Sequence, residues 1–240
     1  MDIHKPKPWH SWREFMKELG TIALGVCIAL AAEQAVEWWH WQGEVREARK
    51  ALVAEITRNN SEVMKVLGMG PCLERQTNEA EAILNSVEAG QQPPSFTTFH
   101  HEIGIYLSDS EWESERSSQV LTHFPRAELA VMNRYYGQIP ILRSLIGPMA
   151  QTWTDLSVLR NPPSKLGPDT LVRLRANIDS ARHTQTINLF NALAMLNISA
   201  EIGVSRPPPQ TARSARYCRL DDEQLFDVIT KAATQPAPVK

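Results

Sequence analysis

The chain has 240 residues and a mass of 27.0 kDa, with 42% apolar and 22% charged content. That is enough for one medium domain, or a small domain plus an appendage, and the composition excludes both wholesale disorder and a polytopic membrane protein. The net charge of −2, from 25 basic and 27 acidic residues, gives no electrostatic reason to expect nucleic acid as partner. Three cysteines are too few for a zinc ribbon or a disulfide-dense miniprotein.

Although mean hydropathy is −0.31 for the whole chain, the lipophilic character is concentrated near the N-terminus. Residues 19–32 read LGTIALGVCIALAA, without a charge, between Glu18 and Glu33. Fourteen helical residues reach only about 21 Å, short of the roughly 30 Å hydrocarbon core. The flanks supply the rest. Phe15, Met16, Ala35 and Val36 extend the apolar run, Trp9 and Trp12 precede it, and Trp38, Trp39 and Trp41 follow it. From Trp12 to Trp38 a helix covers about 39 Å, close to the distance between opposite headgroup layers, so these tryptophans fall where an interfacial belt belongs. The pattern predicts a transmembrane helix with its Trp-rich interface over 19–41.

A cleavable signal peptide is the rival reading, because Ala29-Leu30-Ala31 fits a small-x-small site and Lys5, Lys7, Arg13 and Lys17 precede the core. No helix breaker separates core from site, and the sequence beyond continues helically, which favours an uncleaved anchor over both cleavage and a buried soluble helix. Four basic residues precede the span and none follows until Arg46, so residues 1–18 are expected in the cytoplasm and the remainder outside it. Within the span Ala23, Cys27, Ala31 and Ala35 recur every fourth residue, and Thr21, Gly25 and Ala29 do the same on the neighbouring face. Small residues at that spacing let helices approach closely in lipid, which makes this face the candidate homo-oligomer contact.

Beyond the span, the exported domain is expected over 42–233, with 234–240 as a disordered tail. Val45, Ala48, Leu52, Ile56, Val63 and Val66 predict that the anchor continues as a long juxtamembrane helix, ended by Gly68-Met69-Gly70-Pro71. Leu73, Gln76, Ala80, Ile83 and Val87 predict a second, short helix stopped at Gly90 and Pro93-Pro94. Residues 95–112 read as either irregular helix or short strands. From Leu129 to Leu156 an apolar stripe has nearly coiled-coil regularity, with Pro140 and Pro148 expected to kink or break it. After a Pro/Gly linker at 161–168, Asp169 or Thr170 is expected to cap a helix running from Leu171 to near Gly203, and a last short helix follows Leu220. The fold class is therefore all-α: a transmembrane helix continuing into a juxtamembrane helix, then a kinked antiparallel helical bundle.

Chemistry-bearing residues are sparse. If the domain is exported, Cys72 and Cys218 are the natural disulfide pair, each at a break in the chain. His100, His101 and Glu102, with His123, Glu113 and Glu115 nearby, lack the spacing that sets two ligands on one helical face, so no metal and no cofactor are expected. Arg126, Arg134 and Arg143 fit a solvated helix face better than an anion pocket, while Trp112, Trp153, Tyr135 and Tyr136 fit the core. Without a nucleophile elbow or a phosphate-binding loop, no enzyme is expected.

The segment W-R-E-F-x-K-E-L-G through A-L-A-A-E-Q-A-V-E-W-W-H-W resembles the N-terminus of uncharacterised single-span proteobacterial membrane proteins. The matching residues are Lys17-Glu18, Gly25, Ala29–Gln34 and Glu37–Trp39; Gly70-Pro71-Cys72 to Arg75 is similar to a Cys-plus-Arg helix start in the same proteins. The resemblance covers about a sixth of the chain and implies an uncleaved anchor but no activity. Together these readings predict an inner-membrane protein with a periplasmic domain. Its expected partners are the lipid bilayer and an unknown envelope protein, and the alternative is a small-ligand-sensing helical module that acts through a membrane partner.

Overall fold

The computed structural model describes residues 12–96 and 105–207, and the fold there is all-α. It comprises α1 (Trp12–Glu88), α2 (Ser110–Ser117), α3 (Arg126–Tyr136), α4 (Gln138–Leu156) and α5 (Pro168–Glu201), with single 3-10 turns at Val120–His123 and Ser157–Arg160. The chain divides into two units, Met1–Arg49 and Lys50–Lys240, and α1 contributes residues to both.

In the first unit α1 carries the apolar run. An 18-residue window there has a mean hydropathy of 1.8 with none of it buried, which makes this helix long and apolar enough to cross a membrane. Leu19, Ile22, Leu24, Val26, Ile28 and Leu30 are all exposed.

The second unit is built from the rest of α1 with α3, α4 and α5. Tyr135 and Tyr136, at the end of α3, bond to Asn60 and Glu55, whereas Trp153 and Leu156 of α4 share a cluster with Leu73, Ile83 and Leu84. Helix α4 therefore runs in the same direction as α1. In contrast, α5 is antiparallel to α1: Ser199 meets Asn60, Gln185 meets Gly70, and Arg182 meets Glu81. Two parallel neighbours need a connection that returns along the bundle. Phe96 still packs on the cluster around Ile83, and Ser108 has already reached Asn59 near the other end. The main core joins Leu73, Ala80, Ile83 and Leu84 to Met149, Trp153 and Leu156, and to Leu174, Ile178 and Ala181 of α5.

Two expectations about helix ends need correction, and another, the break expected at Pro140, is displaced by three residues. The Gly68–Pro71 run does not end a helix, and there is no separate short helix over 73–87; α1 passes through Pro71 to Glu88. An internal proline costs about 3 kcal/mol or more, but burial of Leu67, Cys72 and Leu73 on either side outweighs it. Gly70 is a packing residue, not a helix stop. A Cβ there would lie 3.2 Å from Leu189 Cδ2, and Gln185 Nε2 donates to its carbonyl at 2.7 Å. Secondly, the 129–156 stripe breaks at Gly137, three residues before Pro140, which sits in the first turn of α4 where a missing N–H leaves no helical bond unmade. Pro148 lies inside α4, which continues past it to Leu156. Thirdly, Gly167 precedes α5, with Pro168 at its first position, and Asp169 lies in the first turn with no capping bond. The stops at Gly90 and Gly203 are as expected, both with positive φ (68° and 77°). The expected last helix and tail lie outside the described residues.

Candidate functional site: a buried carboxylate and an exposed apolar helix

Two places hold the features from which function can be argued. The first is a buried polar cluster that sequence reasoning missed. On α1 the residues Leu52, Glu55, Ile56 and Asn59 share one buried face, so Glu55 enters the interior among apolar neighbours. Its carboxylate accepts five hydrogen bonds. Ser108 Oγ (2.7 Å), Ser110 Oγ (3.2 Å) and the Glu111 N–H (3.1 Å) donate to Oε1; the Trp112 N–H (3.3 Å) and Tyr136 Oη (3.0 Å) donate to Oε2. Burial pushes this carboxyl group up, but the Ser108 hydroxyl, the Glu111 N–H, the Tyr136 hydroxyl and the Trp112 N–H together hold it below its ordinary value.

Because Glu111 and Trp112 are in the first turn of α2, Glu55 does from a distance what an N-cap side chain does locally. The local residue, Asp109, makes no cap bond. It is held instead by Arg143 in a two-pronged pair at 2.8 and 2.9 Å, and Arg143 also donates to the Leu107 carbonyl at 2.6 Å. The Asp109 carboxylate accordingly raises the Arg143 guanidinium above its usual range, against the lowering effect of burial.

Asn59 fixes the same segment by donating to the Ser108 carbonyl (2.6 Å) and accepting from its N–H (2.9 Å). Trp112 stacks on Tyr136 with ring centroids 4.7 Å apart and planes 11° from parallel, and Tyr135 meets Tyr136 edge-on. Tyr135 Oη donates to Asn60 Oδ1 (3.0 Å), and Asn60 Nδ2 donates to Ser199 Oγ (2.9 Å), which ties α3 and α5 to α1. Burial, followed by the neighbouring Glu55 charge, raises both phenols well above the ordinary tyrosine range, so they stay protonated. The cluster can cap, clamp and orient. Its carboxylate is saturated by donors and has no lone pair directed to an open space, which a general base requires.

The other expected candidates are placed as follows. Trp112, Trp153, Tyr135 and Tyr136 are core residues, as read from the sequence. Arg134 and Arg143 are held by Glu201 and Asp109, and Arg126 is exposed, so the three do not form a pocket. Among the described residues no group of three His, Cys, Asp or Glu side chains is placed to hold a metal. His100, His101 and Glu102 lie outside the described residues, as does Cys218. Cys72 is buried and is not a free thiol; the free cysteine among the described residues is Cys27.

A second missed feature runs along the outside of the bundle. Arg175 bonds to Glu88 and to Asn85 (3.0 Å), and seven residues later Arg182 bonds to Glu81 and to Asn78 (3.2 Å). The signal was present as Asn-x-x-Glu repeated one heptad apart at 78–81 and 85–88. These half-exposed pairs fix the register of α5 on α1 more than they stabilise it.

The second place is the exposed apolar helix of the first unit. Trp12, Trp38 and Trp39 are 74%, 64% and 75% exposed, and Trp41 is half-buried. Ala23, Cys27, Ala31 and Ala35 all lie on exposed helix. Leaving a surface of this kind in water would be costly, whereas a bilayer with interfacial tryptophans accommodates it. No protein-family model, no curated protein and no solved structure matches the chain.

Proposed function

We propose that this chain is an uncleaved single-pass inner-membrane protein, related to the single-span proteobacterial proteins its N-terminus resembles. In this reading the short N-terminus is cytoplasmic, and a periplasmic helical domain acts without enzymatic chemistry, through contacts with other envelope proteins. One observation carries it: the most apolar stretch of the molecule is a helix with none of its surface buried, bordered by exposed tryptophans. The non-enzymatic part is supported by where the polar groups go. Glu55, Asn59, Asn60, Tyr135 and Arg143 spend their hydrogen bonds on tying helices together.

Export to an oxidising compartment would make Cys72 and Cys218 a disulfide, which the buried, non-free state of Cys72 supports. Closing a loop of that length would contribute about 5 kcal/mol in the chain-entropy account. The face of Ala23, Cys27, Ala31 and Ala35 would allow pairing of two spans.

Thiol mapping on intact cells tests the export. After trapping with an alkylating reagent, Cys72 and Cys218 should resist modification until reductant is added and should appear as one cross-linked peptide by mass spectrometry. Free alkylation of both without reductant would place the domain in the cytoplasm and remove the disulfide with it.

A further inference from the structure

The helix immediately beyond the apolar run sorts its charges by face. At about 100° per residue, Trp38, Trp39, Gln42, Arg46 and Arg49 fall within roughly one 100° sector, whereas Glu33, Glu37, Glu44 and Glu47 fall in a sector from about 180° to 260°. The first five residues line one open groove along the helix. Both tryptophans are exposed, as is Arg46, and Arg49 is half-buried.

Depth matters as much as charge. With Trp38 and Trp39 at the boundary of the hydrocarbon, Arg46 starts about 12 Å further along the axis. Helical side chains lean back toward the N-terminus, here toward the bilayer. A long arginine stem directed that way brings its guanidinium down to the headgroup layer, about 5–7 Å deep, with the indoles beside its acyl end. Guanidinium is the side chain best matched to phosphate oxygens.

We propose that the groove of Trp38, Trp39, Gln42, Arg46 and Arg49 binds the phosphate of an anionic phospholipid in the leaflet where the span emerges. The indoles hold the glycerol and upper acyl region, Gln42 donates to the ester oxygens, and Arg46 faces the phosphate, with Arg49 one turn further out along the same groove. The acidic residues Glu33, Glu37, Glu44 and Glu47 occupy the opposite sector of the helix.

The proposal rests on the membrane-anchor reading. The test uses the full chain in detergent micelles, titrated with phosphatidylglycerol or phosphatidylcholine and followed by native mass spectrometry. Phosphatidylglycerol should bind more tightly by about fivefold per arginine engaged. The R46Q/R49Q variant should lose that preference, whereas R58Q/R173Q, which removes the same charge from exposed positions elsewhere, should keep it. Equal binding of the two lipids, an unchanged preference in R46Q/R49Q, or an equal loss in the control would overturn the proposal. So would displacement of phosphatidylglycerol by inorganic phosphate, which would mark a site for the free anion. Flotation with phosphatidylcholine vesicles separates the two readings: a chain that fails to float removes the anchor itself, and one that floats without lipid preference removes the groove alone.

Discussion

Replacing Glu55 with alanine should lower the stability of the helical domain by about 3–5 kcal/mol, since five donors lose a charged acceptor at once. Three of those donors, Ser110, Glu111 and Trp112, begin α2, so the loss should spread from one side chain to the whole 105–117 segment. Tyr136→Phe removes a single donor and should cost about 1–2 kcal/mol. Chemical denaturation of the full chain in detergent, followed by tryptophan fluorescence, reads both, because Trp112 stacks on Tyr136 beside the carboxylate.

The same group sets an acid limit. Its folded-state value lies below the ordinary 4.5. Its contribution is therefore fully present above the unfolded value and is lost as pH falls through the folded one. Wild type should lose stability more steeply below about pH 4.5 than Glu55→Gln, whose amide does not titrate in that range. An E55A variant as stable as wild type, with an unchanged acid profile, would mean that the carboxylate is incidental to the fold.

The second large effect is expected at Trp153. This side chain is 3% exposed where α4 meets Leu73, Ile83 and Leu84 of α1 and Leu174 and Ile178 of α5. Truncation to alanine removes the widest group in that cluster and leaves a void that three helices would have to collapse together to fill. The expected cost is about 3–5 kcal/mol. Val158→Ala, at a partly exposed position on the 3-10 turn after α4, should cost about 0.5 kcal/mol or less. Similar midpoints for W153A and V158A in the same denaturation assay would show that the cluster does not hold the bundle together.

How legible each part was in the sequence depends on whether local or distant contacts decide it. The apolar run was legible because length, hydropathy and flanking tryptophans are all local properties. So was α5, whose three-and-four spacing is uninterrupted between Pro168 and Gly203. The Gly68–Pro71 run was not, because those residues favour a stop in isolation. The deciding contact is with Leu189 and Gln185, more than a hundred residues away. The break at Gly137 had a local cause in Pro140, yet a proline acts on the turn before it, which displaced the boundary.

Glu55 left a trace in the sequence as a lone carboxylate on an apolar helical face between Leu52 and Asn59. Its partners are not predictable from that trace, since four of them come from the 108–112 segment, which has no clear periodicity. The Arg175 and Arg182 pairs were readable only once α5 was known to run antiparallel to α1.

The central claim is that the apolar helix over 19–41 is a permanent anchor, and the intact mass of the chain recovered from alkaline-washed membranes tests it most directly. The account predicts a single species of 27.0 kDa that stays with the membrane pellet. A chain released into the wash, or one shortened by roughly thirty residues through cleavage after Ala31, would contradict it.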